Sequence, residues 1–140
     1  MVFIAPFNSK GETMMLGSSP INGFVRVTDA KRTREFYEGV LGLTFVSENP
    51  FVMVFSGKNA IIIAQRVEKF PPLQSTVLGW EVKDIRETVS SLVKRGVAFQ
   101  KYDGMDQDEL GIWRSPDGKV AWFKDPDGNV LSVSEQQNYQ

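Results

Sequence analysis

Residues 27–43 read V-T-D-A-K-R-T-R-E-F-Y-E-G-V-L-G-L. The stretch opens on the end of an alternating, β-branched run, Ile21 to Thr28, whose period predicts a strand. Asp29 then stands where a carboxylate accepts from the free amides of a first helical turn. Ala30, Thr33, Phe36, Tyr37, Val40 and Leu41 follow at helical spacing and make one apolar stripe. Gly42 closes the unit at a position where helices often end on a left-handed residue, a conformation glycine adopts without penalty. The order is strand, cap, helix, glycine.

Working outward, three short strands are expected next, at Leu43–Glu48, Phe51–Ser56 and Ala60–Gln65. Asn49-Pro50 and Gly57-Lys58-Asn59 supply the turns between them. Arg66 to Gln74 contains Pro71-Pro72 and reads as a linker, because proline removes ladder donors and favours extended backbone. The unit then recurs. Ser75–Lys83 is expected as a strand, Asp84 as a cap with Glu87 three residues on, and Ile85, Val89, Leu92 and Val93 as the buried stripe of a helix closed by Gly96. Val97–Lys101, Val120–Lys124 and Val130–Ser134 are the further strands, with an acidic loop from Asp103 to Glu109 after the first of them. Asp125-Pro126-Asp127-Gly128 turns the chain between the last two. The two cap residues lie 55 positions apart and the two closing glycines 54, as an internal duplication requires.

Composition narrows the function classes. The 140 residues are 41% hydrophobic and 24% charged, enough for a packed core. Sixteen basic residues against seventeen acidic ones leave no field to gather phosphate backbones or anionic lipid, so neither nucleic acid nor membrane is expected as a partner. Cysteine and histidine are both absent. There is therefore no disulfide or thiolate chemistry, and the commonest neutral-pH base and transition-metal ligand are missing. Met1–Pro20 lacks the basic and apolar regions of a signal peptide, and no run reaches about 18 apolar residues. The expectation is a cytoplasmic protein.

Three segments together resemble the vicinal oxygen chelate superfamily, the glyoxalase, bleomycin-resistance and ring-cleaving dioxygenase group. They are residues 27–43 above, W-E-V-K-D-I (80–85) and V-A-W-F-K-D-P-D-G-N-V-L-S-V (120–133). The resemblance implies an α+β fold of two tandem βαβββ modules whose curled mixed sheets form a shared cavity. It divides the chain into an arm (1–20), a first module (21–66), a linker (67–74), a second module (75–135) and a tail (136–140). It also implies a homodimer. The family's metal-ligand positions, carried onto this chain, fall at Asn22, near Ile62, at Val77 and at Ser132, none of them a strong ligand for a transition metal. No metal and no cofactor is therefore expected.

Strand alternation assigns the cavity face. Asn22, Phe24 and Arg26 are expected to point inward from the first strand, with Ile62 and Ala64 completing that half. Val77, Gly79 and Glu81 are expected inward from the fifth strand, and Val120, Trp122, Lys124, Ser132 and Ser134 from the last two. Leu78, Trp80 and Val82 are expected in the core. The bowl is apolar and aromatic with three charges, Arg26, Glu81 and Lys124, and Arg26 and Glu81 are placed to pair across its mouth. Such a face suits a small, partly aromatic organic molecule bound without a metal. A second reading is a lyase or isomerase of the glyoxalase kind, with Glu81 as general base and a weakly held divalent ion. A third is a homodimeric interaction module with a vestigial cavity. Whether the protein is an enzyme is left open, with binding favoured. Tyr102 and Trp113 flank the acidic loop and are candidates for a lid.

Overall fold

The computed structural model describes residues 16–136, so most of the arm and the tail lie outside the described residues. After a 3-10 turn at Leu16–Ser18, the chain forms β1 (Ile21–Val27), α1 (Ala30–Arg34) running into a π-helical turn (Glu35–Val40), β2 (Thr44–Glu48), β3 (Val52–Ser56) and β4 (Ala60–Arg66). The second half holds β5 (Thr76–Glu81), α2 (Ile85–Lys94), β6 (Trp113–Ser115), β7 (Gly118–Lys124) and β8 (Val130–Gln136). These make two four-stranded mixed sheets, ordered β1-β4-β3-β2 and β5-β8-β7-β6, the same order twice.

The local signals act as their chemistry requires. Asp29 accepts from the amide of Arg32 and Asp84 from that of Glu87, each satisfying an orphan donor of the first turn. Gly42 and Gly96 take φ of +80° and +95°. Ile85, Val89 and Leu92 are buried, whereas Val93, a further 100° round the helix, is 49% exposed and does not belong to the stripe. In the π turn the Leu41 amide donates to the Phe36 carbonyl five residues back. Phe36 and Tyr37 then reach different sheets: the Tyr37 ring lies 5.6 Å from Phe55 of β3, and the Phe36 ring 6.4 Å from Phe123 of β7. One hydrophobic core thus contains residues of both sheets and both helices.

The outermost strand of the second sheet is not the expected one. Val97–Lys101 makes only a single bridge, Phe99 to Phe123, and Trp113–Ser115 pairs along β7 instead. The cause is the loop between them. The Gln107 amide donates to the carbonyls of Gln100 and Gly111, and its oxygen accepts from the Tyr102 amide. Asp108 accepts from the amides of Leu110 and Ile112. Backbone groups of 100–112 that a ladder would use are bound by side chains, and the chain regains the sheet only at Trp113.

Candidate functional site

Each strand presents one face to the core, and the other is open. On β1, Val25 and Val27 are buried, while Asn22, Phe24 and Arg26 are exposed. On β5, Val77, Gly79 and Glu81 lie on the open face, opposite to Leu78 and Trp80. On β7 and β8, Ala121, Phe123, Leu131 and Val133 are buried, leaving Val120, Trp122, Lys124, Ser132 and Ser134 outward. Ile62 and Ala64 take the buried phase of β4, although Ile62 also lines the larger cavity at the junction of the two sheets. Ile62 pairs with Gly23 and is 6% exposed in the core; Ala64, beside Val25, is fully buried. The residues of β4 on the open face are Ile61, Ile63 and Gln65, because a one-residue error of phase turns a whole strand over.

The two open faces meet along a seam between β1 and β5, edge strands that run in opposite directions. Gly23 packs on Leu78 at its middle, close enough that a Cβ there would lie 2.8 Å from the leucine side chain. At one end Ile21, Ile62, Leu78, Trp80 and Glu81 line a cavity of about 530 Å³ together with Lys58 and Asn59. At the other, Phe24, Arg26 and Gln65 share a pocket of about 180 Å³ with Val77 and with Leu73 of the linker. Arg26 and Glu81 are therefore at opposite ends of the seam, each three residues from the Gly23–Leu78 contact and roughly 20 Å apart along the strands. They do not pair. Arg26 instead lies over the ring of Phe70, 4.8 Å from its centroid. Gln65 and Phe70 are the site residues the sequence reading did not include. Gln65 is signalled only by its register opposite Arg26, and Phe70 only as the one aromatic residue of a proline-containing linker.

On the second sheet the open face carries an aromatic group. Trp122 is half-buried, with Tyr102 at 5.7 Å and 80° and Trp113 at 6.2 Å and 34°. The loop described above fixes Tyr102 there through its amide bond to Gln107. Arg86 of α2 ties the same loop from outside, with ion pairs to Asp108 and Glu109; the hydrogen bond from Arg86 holds the Glu109 carboxyl below the usual carboxylate range. Across the strands, Trp122 is opposite Ser132, and Ser132 opposite Gly79. Gly79 has no side chain, and a Cβ there would fall 2.6 Å from the Ser132 hydroxyl.

The Asp125–Asn129 turn joins the halves. Asp125 accepts from the Tyr37 hydroxyl at 2.7 Å, from the amides of Asp127 and Asn129, and from the Asn129 side chain. Burial first, and then the charge of Asp125, push the Tyr37 hydroxyl far above its ordinary pKa. Asp127 accepts from Thr28 and Arg32, and Asn129 donates to the Arg26 carbonyl at 2.8 Å.

The donor set on the open face does not suit a transition metal. Asn22, Ile62, Val77 and Ser132 stand at or near the positions implied by the resemblance, and among the described residues no three His, Cys, Asp or Glu side chains converge. Glu81 is exposed, and among the described residues no side chain hydrogen-bonds to its carboxylate. No helix among the described residues is long and apolar enough to cross a membrane.

The family model for the glyoxalase/bleomycin resistance protein/dioxygenase superfamily matches residues 19–133. No curated protein matches the chain. Among solved structures, an antibiotic-binding protein from Streptomyces sp. CB03234 superposes with a TM-score of 0.67 at 24% identity, over 89% of this chain and all of the other. A glyoxalase/bleomycin resistance protein from the same organism gives 0.61 at 25% identity, over 85% and 100%. A glyoxalase family protein from Bacillus anthracis gives 0.67 at 18%, over 85% and 95%. With the family model spanning both sheets, the chain belongs to the glyoxalase/bleomycin resistance protein/dioxygenase superfamily.

Proposed function

We propose that this protein binds a small, partly aromatic organic molecule on the open face of its sheets, without a metal ion. The observation that carries the reading is the Tyr102–Trp122–Trp113 group standing on the face turned away from the core. Three rings left partly uncovered offer a ligand flat apolar area that loses little side-chain entropy on binding. The Ser132 hydroxyl and the bare backbone at Gly79 lie beside them and leave room above the sheet. That a protein of the same fold binds an antibiotic agrees with the reading. The protein is taken to work in the cytoplasm as a homodimer; Val46 and Phe51, 53% and 75% exposed, are apolar surface that a second subunit would cover.

The test is a titration of the protein with a panel of aromatic and peptide-like antibiotics, followed by tryptophan fluorescence and by calorimetry. Saturable binding to at least one is expected, weakened roughly tenfold or more by Trp122→Ala, the usual loss for a central aromatic anchor. Absence of saturable binding to every compound sinks the proposal.

A further inference from the structure

We infer that the pocket at the Arg26 end of the seam is a carboxylate subsite, taking the acid group of a small organic acid whose apolar part lies over Phe24. The inference rests on the open face being the ligand-binding face. Arg26 and Gln65 are register partners on adjacent parallel strands, so their side chains stand side by side on that face. The pocket they enter holds about 180 Å³ and is otherwise walled by Phe24, Leu73, Val77 and Asn129. Such a volume suits a head group rather than a whole drug-sized molecule.

The donors point to the chemistry. The Arg26 guanidinium carbon lies over the Phe70 ring, 4.8 Å from its centroid, a cation–π contact that leaves N–H donors for a ligand. Among the described residues the ion pairs involve Lys31, Arg32, Arg34, Arg66, Arg86 and Lys119, and none includes Arg26. The Asn129 amide is committed to the Arg26 carbonyl and to Asp125, so it is wall rather than donor. What remains is one planar cation and the Gln65 amide, against apolar side chains. A planar monoanion with two oxygens matches this set. A phosphate dianion would leave a charge and an oxygen facing Phe24, Leu73 and Val77 with nothing to meet them.

The linker builds the pocket as well as covering it. Pro72 sits against Gly128, where a Cβ would come 3.2 Å from its ring and where φ is +89°, and this seats the strap that carries Phe70 and Leu73.

The experiment compares 2-naphthoate with 2-naphthamide, two probes of nearly the same shape and different charge, by calorimetry and by side-chain amide NMR of the whole chain. Naphthoate is expected to bind about tenfold tighter than naphthamide and to shift the Gln65 side-chain amide. Arg26→Gln, an exposed site whose folding is checked by circular dichroism, should weaken naphthoate and erase the preference. Phe70→Leu should reduce the preference with the charge still present. Equal binding of the two probes, or a preference that survives Arg26→Gln, overturns the subsite. Should neither probe bind, the subsite is refuted, and the Trp122 titration tells whether the open-face reading falls with it: saturable antibiotic binding there leaves that reading standing.

Discussion

Replacing Tyr37 with phenylalanine removes one oxygen and one hydrogen bond from the centre of the fold. Tyr37 is fully buried, and its hydroxyl donates to Asp125 Oδ2 at 2.7 Å. Asp125 is itself 5% exposed and keeps three other donors, the amides of Asp127 and Asn129 and the Asn129 side chain. The variant therefore loses a buried hydrogen bond to a charged acceptor without orphaning the carboxylate. Such bonds are worth about 1.5–3 kcal/mol net, so a loss of about 2 kcal/mol is expected, or roughly 6–8 °C in Tm for a chain of this size. Urea unfolding at neutral pH, with an unchanged m-value, measures it. Alkali supplies an independent readout. The folded pKa of Tyr37 lies above its unfolded value of about 10, so its contribution is complete below pH 10 and is lost as the unfolded hydroxyl ionises and the folded one does not. The wild type's advantage over Tyr37→Phe should shrink by about 1.4 kcal/mol per pH unit above 10 and vanish near pH 11.5 or so. A neutral-pH difference under about 0.5 kcal/mol, or parallel alkaline slopes in the two proteins, would refute the reasoning.

Ile62→Ala should cost roughly 2–4 kcal/mol in urea unfolding, as for other buried large-to-small changes. A silent substitution would contradict its place in the shared core. Gly118→Ala places a Cβ against the backbone carbonyl oxygen of Glu135, which cannot move without disturbing the β7–β8 ladder, and a loss above about 2 kcal/mol is expected by the same assay. Gly79→Ala meets chiefly the Ser132 hydroxyl, which can rotate away, so thermal unfolding should register at most about 1 kcal/mol while the added methyl weakens binding to the open face. Equal stability losses at the two glycines would contradict the distinction between a rigid and a yielding neighbour.

The readable parts of the fold were those in which cause and effect lie within a few residues. A cap at Asp29 or Asp84 acts on an amide three positions away, and a closing glycine answers to its own φ. The misread strand shows the converse. Val97–Lys101 alternates well enough to be a strand, yet whether it becomes one depends on the Gln107 side chain and on which segment β7 accepts as its edge. The phase of β4 was not legible for a different reason. Ile61, Ile62 and Ile63 are apolar without contrast, so period two was correct but nothing in that run fixed its phase.

The candidate site was legible as a list of faces and not as a geometry. Asn22, Phe24, Arg26, Trp122, Ser132 and Glu81 all lie on strand faces turned from the core, because polarity alternates in their own strands. The relation between the halves is a tertiary property, and it decides the charges: opposite strand directions across the seam give Arg26 to Val77 and Phe70, and Glu81 to Ile21. The Asp125-Pro126-Asp127-Gly128-Asn129 segment illustrates how much a correct local reading can omit. Read as a turn, it is one. It is also the clasp that receives Tyr37, Thr28 and Arg32 from the first half and bonds the backbone of Arg26 through Asn129. Stability and binding are consequently coupled at this turn. A change there that loosens the clasp should also displace the guanidinium at the seam, even though no side chain of the turn donates into the pocket.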